Sequence, residues 1–335
     1  MKAIQFDRYG DPFDVLKLRD LPLLEPGEGE VSVQMLLSPI NPSDLLFIRG
    51  LYPGVHPSFP ASVGFEGVGR IDRIGAHVEG FVVGQRVVVA NNDGGGNWAE
   101  YVVCPARLLV PIPESLPDEQ AASLLVNPMT ALALLRSVLS VPKGAWLVQS
   151  AANSELGKMI IRLAKHDGIR TINVVRSQET AAELVQLGAD AVITPTDGPL
   201  DEQVRAIIGN QGVSYALDAV LGDIGTQLFE ALADDGHMVV YGYLSGEPLQ
   251  VGVHPRTVLT GNRTLQGHYT SYWIKKLDQA TLAEFSRDLI QLVEEKVLTT
   301  TPGPTYPLAA FSDAIRQTEE HGRRGKVYLR LVDPV

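Results

Sequence analysis

A single cysteine, Cys104, stands in 335 residues. No internal disulfide can form, no thiolate cluster can hold a metal, and a reducing compartment is expected, with the cytoplasm as the default location. Basic residues are in the minority, 28 Lys and Arg against 39 Asp and Glu, for a net charge of −11. Partners with a phosphate backbone recruit Lys and Arg in excess, so no nucleic acid is expected here. Apolar runs are short. None approaches the ~20 residues that a membrane-spanning helix needs, and the opening MKAIQFDRYGDPFDVLKL has neither the basic head nor the apolar core of a leader. Internal repeats and low-complexity tracts are also missing.

The chain is longer than one hydrophobic core usually serves, and its texture changes along its length. Up to about residue 120, short apolar runs (VSVQMLL, GVGRIDRIG, GQRVVVA, WAEYVVC) alternate with turns such as PGEGE and NDGGG. That punctuation predicts a compact, barrel-like β domain. DEQAASLLVNPMTALALLRSVL then has a helical period, interrupted at Pro128, which should end one helix and allow another to start. Beyond it β-branched runs (AWLVQSA, RTINVVR, AVITP, SYALDAV, HMVVYGYL) alternate with amphipathic stretches, including ELGKMIIRLAKHDG, ETAAELVQLG and GTQLFEALADDG. This alternation predicts a parallel sheet covered by helices on both faces. The expected fold class is α/β, a doubly wound unit over 123–297 inserted in a β domain made of 1–122 and 298–335.

Residues 146–157, WLVQSAANSELG, run from an apolar strand into a helix through small residues. A dinucleotide turn needs small residues that let backbone N–H groups approach a pyrophosphate, and a helix N-terminus facing that charge. Counted back from Gly157, Ala152 and Ser154 stand where the G-x-G-x-x-G frame has its first two glycines. With Asn153 and Leu156 they form a candidate cofactor turn; an ordinary strand-to-helix corner has the same pattern. Arg176, about 20 residues on, stands where an NAD site carries an acid for the ribose diol. A guanidinium there suits a 2′-phosphate, so the expected cofactor is NADPH, although a solvated charge at a strand end reads the same. Glu155 would repel a pyrophosphate if it pointed inward. The expectation is that it turns to solvent, with Lys158 nearby.

SPINPSDLLFIRGLYPGVHPSFPASVGFEGVGRIDRIG, GNWAEYVV, LLVNPMTALALL and GRRGKVYL together resemble the medium-chain dehydrogenase/reductase family over roughly residues 1–332. The resemblance implies a GroES-like β-barrel catalytic domain with an inserted Rossmann domain. Zinc alcohol dehydrogenases of that family carry a Cys before the S-D and a His in a G-H-E motif as metal ligands. This chain has Asn41 and Pro42 in NPSD and Phe65 in GFEG, and it lacks the four close cysteines of the structural zinc lobe. No metal is expected.

INPSD, GLYP, NPMTALALL, RTINVVR and HYTSYWIKK look most like the 2-enoyl thioester reductases, with quinone and enone reductases second. The resemblance implies hydride transfer from NADPH to the β carbon and protonation at the α carbon. It also implies a tyrosine at the enolate, here Tyr52. A phenol of pKa ~10 is a poor base but a good donor to a developing oxyanion; a surface or packing tyrosine in a loop is the plainer reading. Asn41 is a candidate to donate to the carbonyl or to position the tyrosine ring, or simply closes an Asx-turn before Pro42. Asn127 and Thr130 match contacts to the nicotinamide side, though capping would explain either. Tyr241 and Gly242 end a strand on the carboxyl edge, and Lys326 matches a lysine near the cofactor or forms a solvated basic turn. Tyr269 and Trp273 are candidates for an acyl pocket or for core or interface aromatics. Glu66 looks structural, and the seven histidines show no ligand spacing. The expected partner is a small-molecule substrate, an enoyl thioester, quinone or enone, and the resemblance implies a homodimer with a seam near 264–273. A cofactor-binding protein without turnover is the remaining alternative.

Overall fold

The computed structural model describes residues 1–52, 54–90, 96–249, 260–320 and 324–332. Most of the NDGGG turn, Pro53 of GLYP and the first two residues of GRRGKVYL lie outside them. The chain forms two compact units: residues 1–126 with 286–294 and 299–335, and residues 127–285 with 295–298.

In chain order the elements of the first half are β1 (Lys2–Phe6), α1 (Pro12–Val15), β2 (Leu16–Asp20), β3 (Glu30–Pro39), α2 (Pro42–Ile48), β4 (Ala61–Ser62), β5 (Glu66–Ile74), β6 (Arg86–Ala90), β7 (Tyr101–Pro105), β8 (Leu109–Pro111) and α3 (Asp118–Ala122). They are followed by α4 (Asn127–Leu132), β9 (Trp146–Gln149), α5 (Glu155–Asp167), β10 (Arg170–Val174), α6 (Ala181–Leu187), β11 (Ala191–Ile193), α7 (Leu200–Ile208), β12 (Val213–Asp218), α8 (Gly222–Glu230), β13 (Leu232–Val240) and β14 (Thr264–Gly267). The described chain closes with α9 (Thr270–Ile274), α10 (Gln279–Glu294), β15 (Pro302–Pro307), α11 (Phe311–Glu319) and β16 (Lys326–Arg330).

The first unit is built on a seven-stranded sheet, order β15-β16-β3-β5-β6-β8 with β7 on β3, and a smaller sheet β2-β1-β4. The turn-bounded apolar runs read from the sequence become β3, β5, β6 and β7. Alternation along β3 sends Val31, Val33 and Met35 into a core that also buries Phe6, Phe47, Phe65 and Trp98. Each such apolar side chain contributes roughly 2 kcal/mol by leaving water. The lone thiol, Cys104, is buried in the same core; burial pushes its pKa up to about 12, which keeps it protonated and unreactive.

The second unit is a fully parallel sheet in the order β11-β10-β9-β12-β13-β14. Numbered from β9 this is 3-2-1-4-5-6, the doubly wound order whose chain reversal lies between β9 and β12. Helix α5 shows how the sequence sets an element. Ser154 caps it, Met159, Ile160, Ile161, Leu163 and Ala164 bury one face, and Gly168 ends it at φ +72°. Pro128 falls in the first turn of α4, where its missing N–H has no helical partner to lose; the chain then widens into a π-helical stretch, Ala133–Val138. GTQLFEALADDG is helical only to Glu230: Leu232 already pairs with Val213, and Asp235 sits at φ +59°, which a helix cannot hold.

Candidate active site

Within the first unit, Asn41 opens α2. Its backbone N–H donates to Asp44 Oδ2 at 2.7 Å, closing the first helical turn with the N3 carboxylate. Asp44 Oδ1 accepts the backbone N–H of Phe65 at 3.0 Å. The Asn41 side chain also reaches beyond the helix. Its Nδ2 donates to Glu66 Oε1 at 3.0 Å, and its Oδ1 accepts from Lys326 Nζ. Glu66 Oε2 in turn accepts the N–H groups of Leu125 and Val126, each at 2.9 Å. All four side chains are buried; Lys326, the longest, is 2% exposed. Burial is the largest influence on both acids and raises the pKa of each, that of Asp44 to about 7, while the positive charge of Lys326 pulls both down.

Tyr52 reaches this network through Phe65. The two rings lie 4.9 Å apart at 32°, and Phe65 packs in turn on Phe47 at 5.5 Å. Tyr52 is half-buried against the barrel core, so it is a packed residue and not a surface one. The two candidate catalytic residues thus converge on one corner of the barrel, Asn41 bonded to Glu66 and Tyr52 stacked on its neighbour. Both ends of the Asn41 amide are engaged by protein groups, which gives it a positioning geometry. The solvated-turn reading of Lys326 fails, because its ammonium is turned inward onto Asn41.

Within the second unit, β9 leads into the candidate cofactor turn. Ala152 is buried, Asn153 exposed and Leu156 half-buried, and Ser154 Oγ accepts the Gly157 N–H at 3.0 Å. A Cβ on Gly157 would lie 2.6 Å from the carbonyl oxygens of both Ala151 and Ala152, so the helix packs on the strand only with glycine there. The left-handed residue of the turn is Ala151, at φ +49°, one place before the position read from the glycine frame. Gln149 Nε2 ties the turn down by donating to Gly157 O at 3.0 Å and to Asn173 Oδ1 at 2.8 Å. At the β9/β12 reversal, Ser150 Oγ donates to Asp218 Oδ1 at 2.5 Å, and Asp218 accepts the N–H groups of Val220 and Leu221.

Arg176 lies two residues beyond β10 with an exposed side chain. Tyr241 and Gly242 follow β13. The Tyr241 hydroxyl is buried with no hydrogen-bond partner among the described residues, and burial, then the negative charge of Asp218, push its pKa up. Asn127 begins α4. From the same helix Thr130 Oγ1 lies 2.8 Å from Thr270 Oγ1, which lies 3.1 Å from His268 Nε2. Tyr269 precedes α9, and Trp273 sets its ring edge-on to Phe285 at 5.0 Å. Burial lowers the pKa of His268 to about 4, so its imidazole is neutral near pH 7. Lys158 is bonded to Glu183 at 2.5 Å, and the Glu155 charge acts on Arg162.

Sequence reasoning passed over Asp44, Gln149, Ser150, Asn173, Asp218, His268 and Thr270. For several a signal existed: a lone polar residue inside an apolar strand, as in WLVQ, RTINV and YALD.

Comparison with known proteins accounts for both units. The model for the GroES-like domain of alcohol dehydrogenases matches residues 27–114, and that for zinc-binding dehydrogenases matches residues 156–287. The mitochondrial enoyl-[acyl-carrier-protein] reductase of Xenopus tropicalis is 34% identical over 325 residues, 95% of this chain and 92% of that protein. Among solved structures, a Bacillus thuringiensis protein assigned as an NADPH:quinone reductase superposes with a TM-score of 0.92 at 32% identity, covering 99% of each chain. Escherichia coli quinone oxidoreductase, solved with NADPH, gives 0.88 at 25% identity, covering 98% of this chain and 100% of that one. With a match of this length on each count, and the β9-centred strand order beside it, the chain belongs to the medium-chain dehydrogenase/reductase family.

Proposed function

We propose that this oxidoreductase uses NADPH to reduce the C=C bond of a 2-enoyl thioester, with hydride added at Cβ, a proton at Cα and the Tyr52 phenol stabilising the intervening enolate. The observation that carries the reading is the stacking of Tyr52 on Phe65, the residue that stands at the histidine position of the zinc enzymes. The relationship to the Xenopus enoyl reductase supports it along nearly the whole chain.

NADPH, when bound, supplies the hydride. The second unit fits it: the turn at 152–157 is shaped around Gly157 for close backbone approach, and α5 presents its N-terminus there. Ala152, Asn153, Ser154, Leu156 and Gly157 would hold the pyrophosphate. Arg176 would hold the 2′-phosphate, Tyr241 and Gly242 the strand-edge side, and Asn127 and Thr130 the nicotinamide side. Tyr52 donates a hydrogen bond to charge that develops only as the hydride arrives, so it lowers the barrier more than it tightens substrate binding. Asn41 holds its corner in register, while Tyr269 and Trp273 shape the acyl end.

The zinc implied by one family name does not fit this donor set. Zinc sites take Cys, His and carboxylate groups with free lone pairs. Here an ammonium lies among the candidates, and the carboxylate oxygens of Asp44 and Glu66 already accept N–H groups. Among the described residues no group of three or more His, Cys, Asp or Glu is arranged to hold a metal. Lewis-acid alcohol oxidation is therefore not the proposed chemistry. The buried thiol accords with a reducing, cytoplasmic setting, and the place of β14 at the end of the sheet's described strand order, its four residues all exposed, supports a homodimer joined along 264–273.

Crotonyl thioester and a small quinone, each assayed with NADPH, test the assignment. Faster NADPH oxidation with the thioester is expected, and a clear quinone preference would overturn it. The second reading, a quinone or enone reductase, is favoured by the likeness to the E. coli quinone oxidoreductase. The third, cofactor binding without turnover, rests on Glu155 in the first turn of α5 and predicts that neither substrate is consumed.

A further inference from the structure

We propose that Lys326 is the fixed positive charge of the barrel corner, an internal counter-ion that positions Asn41, Phe65 and Tyr52. The proposal deepens the reading of the Tyr52 site, since the positioning matters for catalysis only if that corner is catalytic.

Three observations lead there. The first is burial: an ammonium that is 2% exposed needs compensation, and its positive charge acts on both Asp44 and Glu66. The second is connectivity. Lys326 Nζ grips Asn41 Oδ1, which leaves Nδ2 to face Glu66 Oε1 and fixes which way round the amide lies. Asp44 then clamps the Asn41 and Phe65 backbones together, one through each oxygen. Phe65 carries the Tyr52 ring. The third is register. Lys326 opens β16, which pairs with β3 directly before Asn41, so the side chain that closes the network comes from the other end of the sequence on a strand locked by Tyr328↔Pro39.

The expected consequence is asymmetric. Removing Lys326 alone strands two buried carboxylates, whereas removing Lys326 and neutralising Glu66 together removes the imbalance. Lys326 does not itself touch substrate in this scheme; it acts through Asn41 and Phe65.

The test uses the full-length protein and four variants: Lys326→Met, Glu66→Gln, the double variant, and Lys326→Arg. The first arm is thermal unfolding. Lys326→Met should lower the Tm most or fail to fold, and the double variant should recover at least half of that loss. A double variant no more stable than Lys326→Met overturns the counter-ion. The second arm places 3-fluorotyrosine at position 52 in the wild type and the double variant and records the 19F spectrum. One sharp line is expected in the wild type and a shifted or split line in the double variant, with NADPH affinity within about twofold. An unchanged line overturns the positioning role. Neither arm needs turnover. If the wild type fails to reduce crotonyl thioester, the functional reading falls while both arms still decide on Lys326. With turnover, kcat should drop tenfold or more in the folded double variant at an unchanged alkaline limb of its pH profile, and a wild-type kcat there also overturns the role.

Discussion

The two units bury polarity in different currencies. The barrel corner uses ions, with Lys326 among Asp44 and Glu66, while the parallel sheet relies mainly on neutral amides and hydroxyls, Gln149 with Asn173 and Thr130 with Thr270, leaving Asp218 as its buried acid. A unit that receives a polyanion gains by keeping its backbone N–H groups and helix terminus as the main positive ends. A unit that must answer transient charge on a substrate gains from fixed charges and a rigidly seated donor. The difference fits the proposed division of labour.

The sharpest way to break the comparison is Tyr52→Phe. The rate of enoyl thioester reduction should fall roughly 10-fold to 1000-fold with NADPH affinity nearly unchanged; steady-state kinetics beside a fluorescence titration would reveal an equal loss of affinity, which would make Tyr52 a binding residue. On the other unit, Arg176→Ala should weaken NADPH about tenfold or more and NADH little, and equal weakening would remove the 2′-phosphate assignment. Gly157→Ala forces a Cβ to 2.6 Å from two carbonyl oxygens. A loss of about 1–3 kcal/mol in denaturant unfolding is expected, together with weaker NADPH binding.

The pH response separates the units by sign. In the barrel, Asp44 has a folded pKa of about 7 against an ordinary 3.8, so its contribution is full below 3.8 and is lost as pH rises through 7. In the sheet unit, His268 is lowered from 6.5 to about 4, so its contribution is full above 6.5 and is lost as pH falls toward 4. His268→Gln should therefore lose less Tm than the wild type between pH 7 and pH 5; an identical slope would show that His268 titrates normally. The smallest expected effect is Ala151→Gly. It relieves a left-handed alanine and should stabilise by up to ~1 kcal/mol in the same denaturant assay.

The alternation of strands and helices, the break at Pro128 and the turn at 146–157 were legible because each is written in local pattern. The end of α8 was not, since a strand pairing with Val213 claims Leu232 before the helical period runs out. Tyr52 and Asn41 could be read from motifs, and Gly157 from its place in the frame. Lys326 could not be read as buried. A lysine in GRRGK signals solvent, and only strand pairing between residues nearly 300 apart reveals its partners. Ser150 was hidden for a similar reason: it looks like an ordinary strand end until the sheet order sets β9 beside β12.

Cys104 lies sealed in the barrel core with its thiol held protonated. Maleimides and iodoacetamides should therefore leave the native protein unmarked. A cysteine engineered at an exposed loop would carry a fluorophore or spin label alone, and the molecule comes ready for single-site distance measurements without prior thiol removal.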